Sequence, residues 1–326
     1  MNNFDVLSEF IKKTPKTELH LHIEGSLEPE LMFKLSKRNK VEIPFRNVDE
    51  IRSAYNFTNL DSFLKIYYQG SNVLKTEEDF FDLTWEYILR CKQDNIVHTE
   101  IFFDPQSHLP RGVSFKTIIN GINKALNKAR DELNISSKII MCFLRHLDEE
   151  SCFDVLKQAC DHKDKIIGVG LDSSEKGNPP QKFKSLFETA IKEGFLTVAH
   201  AGEEGPADYI WQALDLLKVK RIDHGIQCLG ATPIDLTHVD FLSAGGHKWL
   251  MGLEGTGILY AKESVHDQLS PNTAGWISHE NGFQFLFEGA GHLRYDRPII
   301  KNIHFIYLLI IKPQVLPLFQ PLPYSL

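Results

Sequence analysis

The chain has no apolar run long enough to cross a bilayer. Its longest, Phe305 to Ile311, ends after seven residues at Lys312, against the roughly 20 that a spanning helix needs. No membrane partner is expected. The N-terminus also lacks the apolar core of a secretory signal. Phe4, Leu7, Phe10 and Ile11 recur at helical spacing among Asp5, Glu9, Lys12 and Lys13, which is the pattern of an amphipathic helix. Cysteine is sparse: Cys91, Cys142, Cys152, Cys160 and Cys228 form no Cys-x-x-Cys pair. A disulfide framework and a zinc knuckle are thereby disfavoured, and reduced thiols in the cytoplasm are expected. Basic excess is missing as well, with 36 Lys and Arg against 43 Asp and Glu and a net charge of -7. Without a surface to track phosphates, nucleic acid is not expected as a partner.

What is present suits a large α/β fold. A chain of 326 residues with 42% hydrophobic content can fill an α/β barrel of about 250 residues or two smaller domains. Short apolar stretches at Thr17–Ile23, Ile96–Phe103, Lys138–Phe143, Ile166–Leu171, Leu196–His200 and Arg221–His224 read as strands. Longer stretches between them, such as Glu77–Lys92, Phe115–Leu133 and Lys182–Gly194, carry apolar residues at helical intervals. Strands alternating with crossover helices predict a parallel sheet. Beyond Gly225 the texture changes. Glycines cluster from Gly245 to Gly257, and the apolar runs Val239–Ala244 and Gly257–Ala261 lie only about a dozen residues apart, close enough to expect antiparallel neighbours rather than two more βα units. In the final stretch, Pro298 to Leu326, Pro313, Pro317, Pro321 and Pro323 rule out a continuing helix or a central strand.

Three strand ends carry chemistry. In the first strand Glu18, His20, His22 and Glu24 alternate with Thr17, Leu19, Leu21 and Ile23, so a period of two puts both histidines and Glu24 on one face. In a barrel that face points inward, and imidazoles two residues apart at a strand's C-terminal end can reach one zinc ion. On spacing alone, histidines satisfied by solvent or by the core remain the commoner outcome. The run Ala199-His200-Ala201-Gly202-Glu203 ends a strand at a histidine and sets a carboxylate one glycine further on. Asp223-His224-Gly225 repeats the arrangement. Each has a plain alternative, a solvated histidine or a surface acidic pair at Glu203 and Glu204; together, four histidines at three strand ends make a metal site a serious reading.

Thr17-Glu18-Leu19-His20-Leu21-His22, His200-Ala201-Gly202-Glu203 and Asp223-His224-Gly225 match, in order and spacing, the adenosine/adenine deaminase family. Ile23 to Glu30, Glu100 to Gln106 and Leu171 to Glu175 resemble the adenine deaminase branch. The resemblance implies a metal-dependent hydrolase type (β/α)8 barrel. It implies Zn²⁺ held by His20, His22 and His200, Glu203 as proton donor to the ring, and His224 orienting the attacking water and taking its proton. Glu24 is implied to face the far edge of a small purine, with a structural role for this carboxylate left open. Adenine, or adenosine, would be hydrolysed to hypoxanthine, or inosine, plus ammonia in purine salvage.

The family's Ser-Asp-Asp-Pro motif, which supplies a metal-binding aspartate and a second one that contacts the purine, is absent. Asp235, Asp240, Asp267 and Asp296 stand in no matching context, and barrel strands seven and eight have no evident counterpart. Three histidines and a water can still make a tetrahedral zinc site, whereas an open six-stranded sheet would expose two edges. In place of the missing part, Asp240 to Gly252 and Glu254 to Tyr260 resemble class V aminotransferases and cysteine desulfurases, with Lys248 at the position of the pyridoxal-phosphate lysine. The upstream half that supplies the phosphate cradle and the carboxylate partner of that cofactor is lacking, so an ordinary Lys248 is expected. The organisation expected is composite: a deaminase-like barrel portion over 1–228, a class V aminotransferase-like fragment forming a short mixed α/β appendage over 229–297, and a Pro-rich tail over 298–326, with the junction between Gly225 and Ala231.

Overall fold

The computed structural model describes residues 12–55, 60–229, 240–245, 257–262, 265 and 306–307. Six parallel strands lie in chain order in one sheet: β1 (Lys16–His22), β2 (Ile96–Phe103), β3 (Ser136–Leu144), β4 (Ile166–Asp172), β5 (Leu196–Ala201) and β6 (Arg221–His224). Between them run α1 (Pro29–Asn39), α2 (Val48–Ala54), α3 (Leu60–Ser71), α4 (Glu77–Gln93), α5 (Phe115–Leu133), α6 (Glu149–Cys160), α7 (Lys184–Lys192) and α8 (Ala207–Asp215). All six expected strands are present. The parallel pairing follows from their composition: Ile139 to Leu144 of β3 are buried without a break, as befits a strand covered on both faces.

Helix starts are written in local chemistry. Thr76 and Asp79 form a capping box at the start of α4, Ser114 accepts from the Thr117 N–H at α5, and Asp148 accepts from the Ser151 N–H at α6. Such side chains satisfy amide groups that the first turn leaves unpaired. Ile118, Ile119, Ile122, Ala125, Leu126 and Ala129 make the buried stripe of α5. Gly121 lets α4 approach, because a Cβ there would collide with the Glu77 carbonyl and the Phe80 side chain. Pro180–Phe183 forms a tight 3₁₀ turn ahead of α7, so that helix starts two residues later than expected.

Inside the sheet Phe102, Ile140, Cys142 and Val198 form an apolar floor. The C-terminal strand ends above it carry His20, His22, His200 and His224. Cys91, Cys142, Cys152 and Cys160 are free thiols. Among the described residues no helix is long and apolar enough to cross a membrane.

A second sheet is antiparallel: β7 (Phe241–Gly245) pairs with β8 (Gly257–Ala261), which pairs with β9 (Ile306–Tyr307). The two glycine-flanked runs are thus antiparallel neighbours, as their short separation demands. Among the described residues no seventh parallel strand joins β1 or β6. The expected helix over residues 4–11, Lys248, and the tail apart from Ile306–Tyr307 lie outside the described residues.

Candidate metal centre

Four histidines from three strands meet at one point. His22 Nε2 lies 3.3 Å from His200 Nε2, and His200 Nδ1 lies 3.3 Å from His224 Nε2. The His20 ring centroid is 4.7 Å from that of His200 and 4.9 Å from that of His224. One nitrogen from each of His20, His22 and His200 can be chosen so that all three lie within 4.8 Å of one another. Phe102 packs against them, its centroid 5.3 Å from His20 and 4.9 Å from His22. Imidazole nitrogens converging in this way suit a shared cation rather than one another, and an all-nitrogen set is what zinc and its neighbours in the first transition row accept. Burial, reinforced by His224, His20 and His22, drives the His200 pKa far down, which leaves it the neutral ligand form.

Glu203 and His224 complete the cluster, with Glu203 Oε2 3.4 Å from His224 Nε2. Burial first, then the charges of Glu175 and Glu204, push the Glu203 carboxyl up to about 7. His224 has φ 73°, a backbone state that non-glycine residues hold only under constraint and often at functional sites.

Glu24 lies just beyond the strand that carries the first two histidines. β1 ends at His22, and Ile23–Ser26 turns as a 3₁₀ helix, so Glu24 is positioned by that turn and its partners and not by strand alternation. Its buried carboxylate accepts from the Asp104 backbone N–H at 3.0 Å and from Tyr67 Oη at 3.3 Å, and pairs with His108 Nε2 at 3.0 Å. Burial alone would raise the Glu24 pKa, but His108 and the Asp104 N–H outweigh it and hold the group below the ordinary carboxylate range.

Buried carboxylates around the histidines carry no assignment from the sequence. Asp172 Oδ2 is 3.3 Å from His22 Nδ1, and burial followed by repulsion from Glu24 takes its pKa up to about 7. Asp223 Oδ1 lies 4.0 Å from His20 Nδ1 and 2.9 Å from Arg221 Nε; burial raises Asp223 to about 6 against the opposing pull of Arg221. His22, Asp104 and Asp172 form a second set close enough to share a cation. The available signal was an aspartate closing an apolar strand, as in Phe102-Phe103-Asp104 and Leu171-Asp172.

The parallel six-stranded sheet and its helices define a barrel of the amidohydrolase type. The adenosine deaminase family model matches residues 15–242, and a class V aminotransferase model matches residues 222–280. An adenine deaminase from Psychrobacter cryohalolentis is 62% identical over 221 residues, 68% of this chain and 67% of that protein. The crystal structure of an adenine deaminase from Arthrobacter aurescens superposes with a TM-score of 0.65 at 48% identity, covering 66% of each chain. That of an amidohydrolase from Burkholderia ambifaria with bound zinc gives 0.63 at 25% identity, covering 68% of this chain and 62% of that one. The chain belongs to the adenosine deaminase family. It spans about two thirds of the length of the curated adenine deaminases it matches.

Proposed function

We propose that this chain carries the metal site of a hydrolytic aminopurine deaminase, with adenine as substrate and hypoxanthine and ammonia as products, serving purine salvage. The convergence of His20, His22 and His200, with Glu203 and His224 at its rim, is the observation that carries the proposal. The similarity to adenine deaminases supports the free base over the nucleoside.

In this scheme His20, His22 and His200 hold Zn²⁺. Bound there, zinc supplies a water that ionises near neutral pH. Glu203, protonated near neutrality by its burial, donates to the ring nitrogen beside the amino-bearing carbon and so neutralises the charge that attack places on the ring. His224 accepts the water's proton and orients it. Glu24, anchored at His108 and Tyr67, faces the far edge of the base. The composite organisation, with boundaries at 228/229 and 297/298, belongs to the same proposal, and its first boundary is supported by the overlap of the two family matches at residues 222–242; a transcript encoding seventh and eighth barrel strands would count against it.

The absent Ser-Asp-Asp-Pro motif favours a second reading, metal retention without turnover. Metal content by mass spectrometry beside an adenine-to-hypoxanthine absorbance assay separates the two. Stoichiometric zinc, with turnover lost in Glu203→Ala and zinc lost in His200→Ala, supports the deaminase. Zinc without turnover supports the second reading.

A further inference from the structure

Glu175 is fully buried in the loop after β4. It receives four consecutive backbone N–H groups from the loop after β5. Gly202 N–H donates to Oε1 at 2.7 Å, while Glu203, Glu204 and Gly205 N–H donate to Oε2 at 2.8, 2.8 and 2.7 Å. A carboxylate saturated by amide donors is a rigid anchor, because each charge-assisted bond is short and the buried charge cannot leave without losing all of them. The turn is shaped to receive it. Gly202 has φ 68°, and a Cβ on Gly205 would come within 2.7 Å of the Glu175 carboxyl carbon and 2.8 Å of Oε1.

Arg145, also fully buried, ties this anchor to the strand beneath. Its Nη1 stands 3.8 Å from Glu175 Oε1 and donates to the His200 carbonyl at 2.7 Å, while its Nε donates to the Asn178 carbonyl at 2.9 Å. One carboxylate and one guanidinium therefore connect the ends of β3, β4 and β5 where His200 and Glu203 emerge.

We propose that Glu175 is a positioning residue: with Arg145 behind it, its carboxylate fixes the Gly202–Gly205 turn and thereby aims Glu203 at His224 beside the histidine cluster. This rests on Glu203 being the proton donor. The anchor itself acts on the backbone and exists whether or not the chain turns over adenine.

Glu175→Gln keeps the size of the side chain but turns an amide NH₂ toward the Gly202 N–H and the Arg145 guanidinium, replacing an attraction by a repulsion. In the metal-loaded chain, hydrogen exchange at the four amides of residues 202–205 should speed up roughly tenfold or more, while amides in β2 and β3 keep their wild-type protection. For adenine turnover kcat should fall by roughly 10- to 100-fold with little change in KM, and Glu175→Asp should recover part of it. Glu203→Gln added to Glu175→Gln should cost little more than the larger single loss, because both act through the same proton donor. Unchanged exchange at 202–205, general loss of protection across the barrel, or losses that multiply in the double variant would overturn the proposal. If the wild-type chain holds zinc without turning over adenine, the deaminase reading fails and the amide exchange still decides for or against the anchor.

Discussion

His22 shows how one side chain gains its role from a neighbour three strands further along the sheet. With Nδ1 3.3 Å from the Asp172 carboxylate and Nε2 3.3 Å from His200, a proton on Nδ1 shared with Asp172 leaves Nε2 as the free lone pair. Carboxylates behind metal-bound histidines fix the tautomer and raise ligand basicity, and removing one typically costs 10- to 100-fold in metal affinity. Asp172→Asn should therefore raise the dissociation constant for zinc by about that factor in a chelator competition, with the fold retained; unchanged affinity would remove Asp172 from the site. The histidines were legible because a strict alternation of two and a following glycine can be read along one strand. Asp172, Asp104 and Asp223 carry no such local signal, because their partners belong to other strands and only the register of the sheet brings them together. For Glu24 the alternation says less, because the backbone already turns after His22 and the side chain is held by His108, Tyr67 and the Asp104 N–H.

At the level of helices and strands the sequence was more readable, since periodicity, caps and glycines act locally. Phe115–Leu133 matched its helix residue for residue, and the antiparallel pair after Gly225 followed from spacing alone. The N-terminal box of α4 goes further than its sequence suggests. Asp79 is buried and accepts from the backbone N–H of Lys75 and Thr76 at 2.9 and 2.8 Å, from Asn39 Nδ2 at 2.8 Å, and from Arg38. Burial would raise its pKa, but these donors outweigh burial and hold it below the ordinary value. A carboxylate depressed in the fold stabilises it fully above the unfolded-state pKa, about 3.9, and that contribution is lost as pH falls through the folded value. Asp79→Asn should lower stability at pH 7 by about 1–3 kcal/mol in chemical denaturation. The deficit against wild type should shrink as pH drops below about 4; a deficit independent of pH would mean that the charge of Asp79 contributes nothing. Gly121→Ala probes the neighbouring contact, where the added methyl collides with the first turn of α4, and should cost about 1–3 kcal/mol by overpacking in the same measurement.

The parallel sheet has two ends, β1 and β6, and its interior is bridged by polar groups near them. Arg221 of β6 pairs with Glu100 of β2, and the His20 ring of β1 lies against that of His224. On the outside, Leu19 of β1 is 42% exposed, and apolar surface left in water forfeits about 25 cal/mol per Å² of the stabilisation that burial would give. A cation shared by His20 and His22 of β1 and by His200 of β5 would tie the first strand directly to the fifth, so metal should stabilise the assembled sheet and not the unfolded chain. Binding linkage sets the size of the effect: about 4 kcal/mol at a free concentration a thousandfold above the dissociation constant. For a folded unit of about 200 residues that corresponds to a Tm higher by about 8–16 °C. Thermal melts of chelator-treated chain against added zinc should show a Tm that rises with the logarithm of zinc concentration, with the rise abolished in His200→Ala and retained in Glu203→Gln. Equal melting of wild type and His200→Ala at every zinc concentration would mean that the histidine cluster does not close the sheet. Retention of the rise in Glu203→Gln keeps this test independent of catalysis, because holding β1 to β5 needs only the three imidazoles.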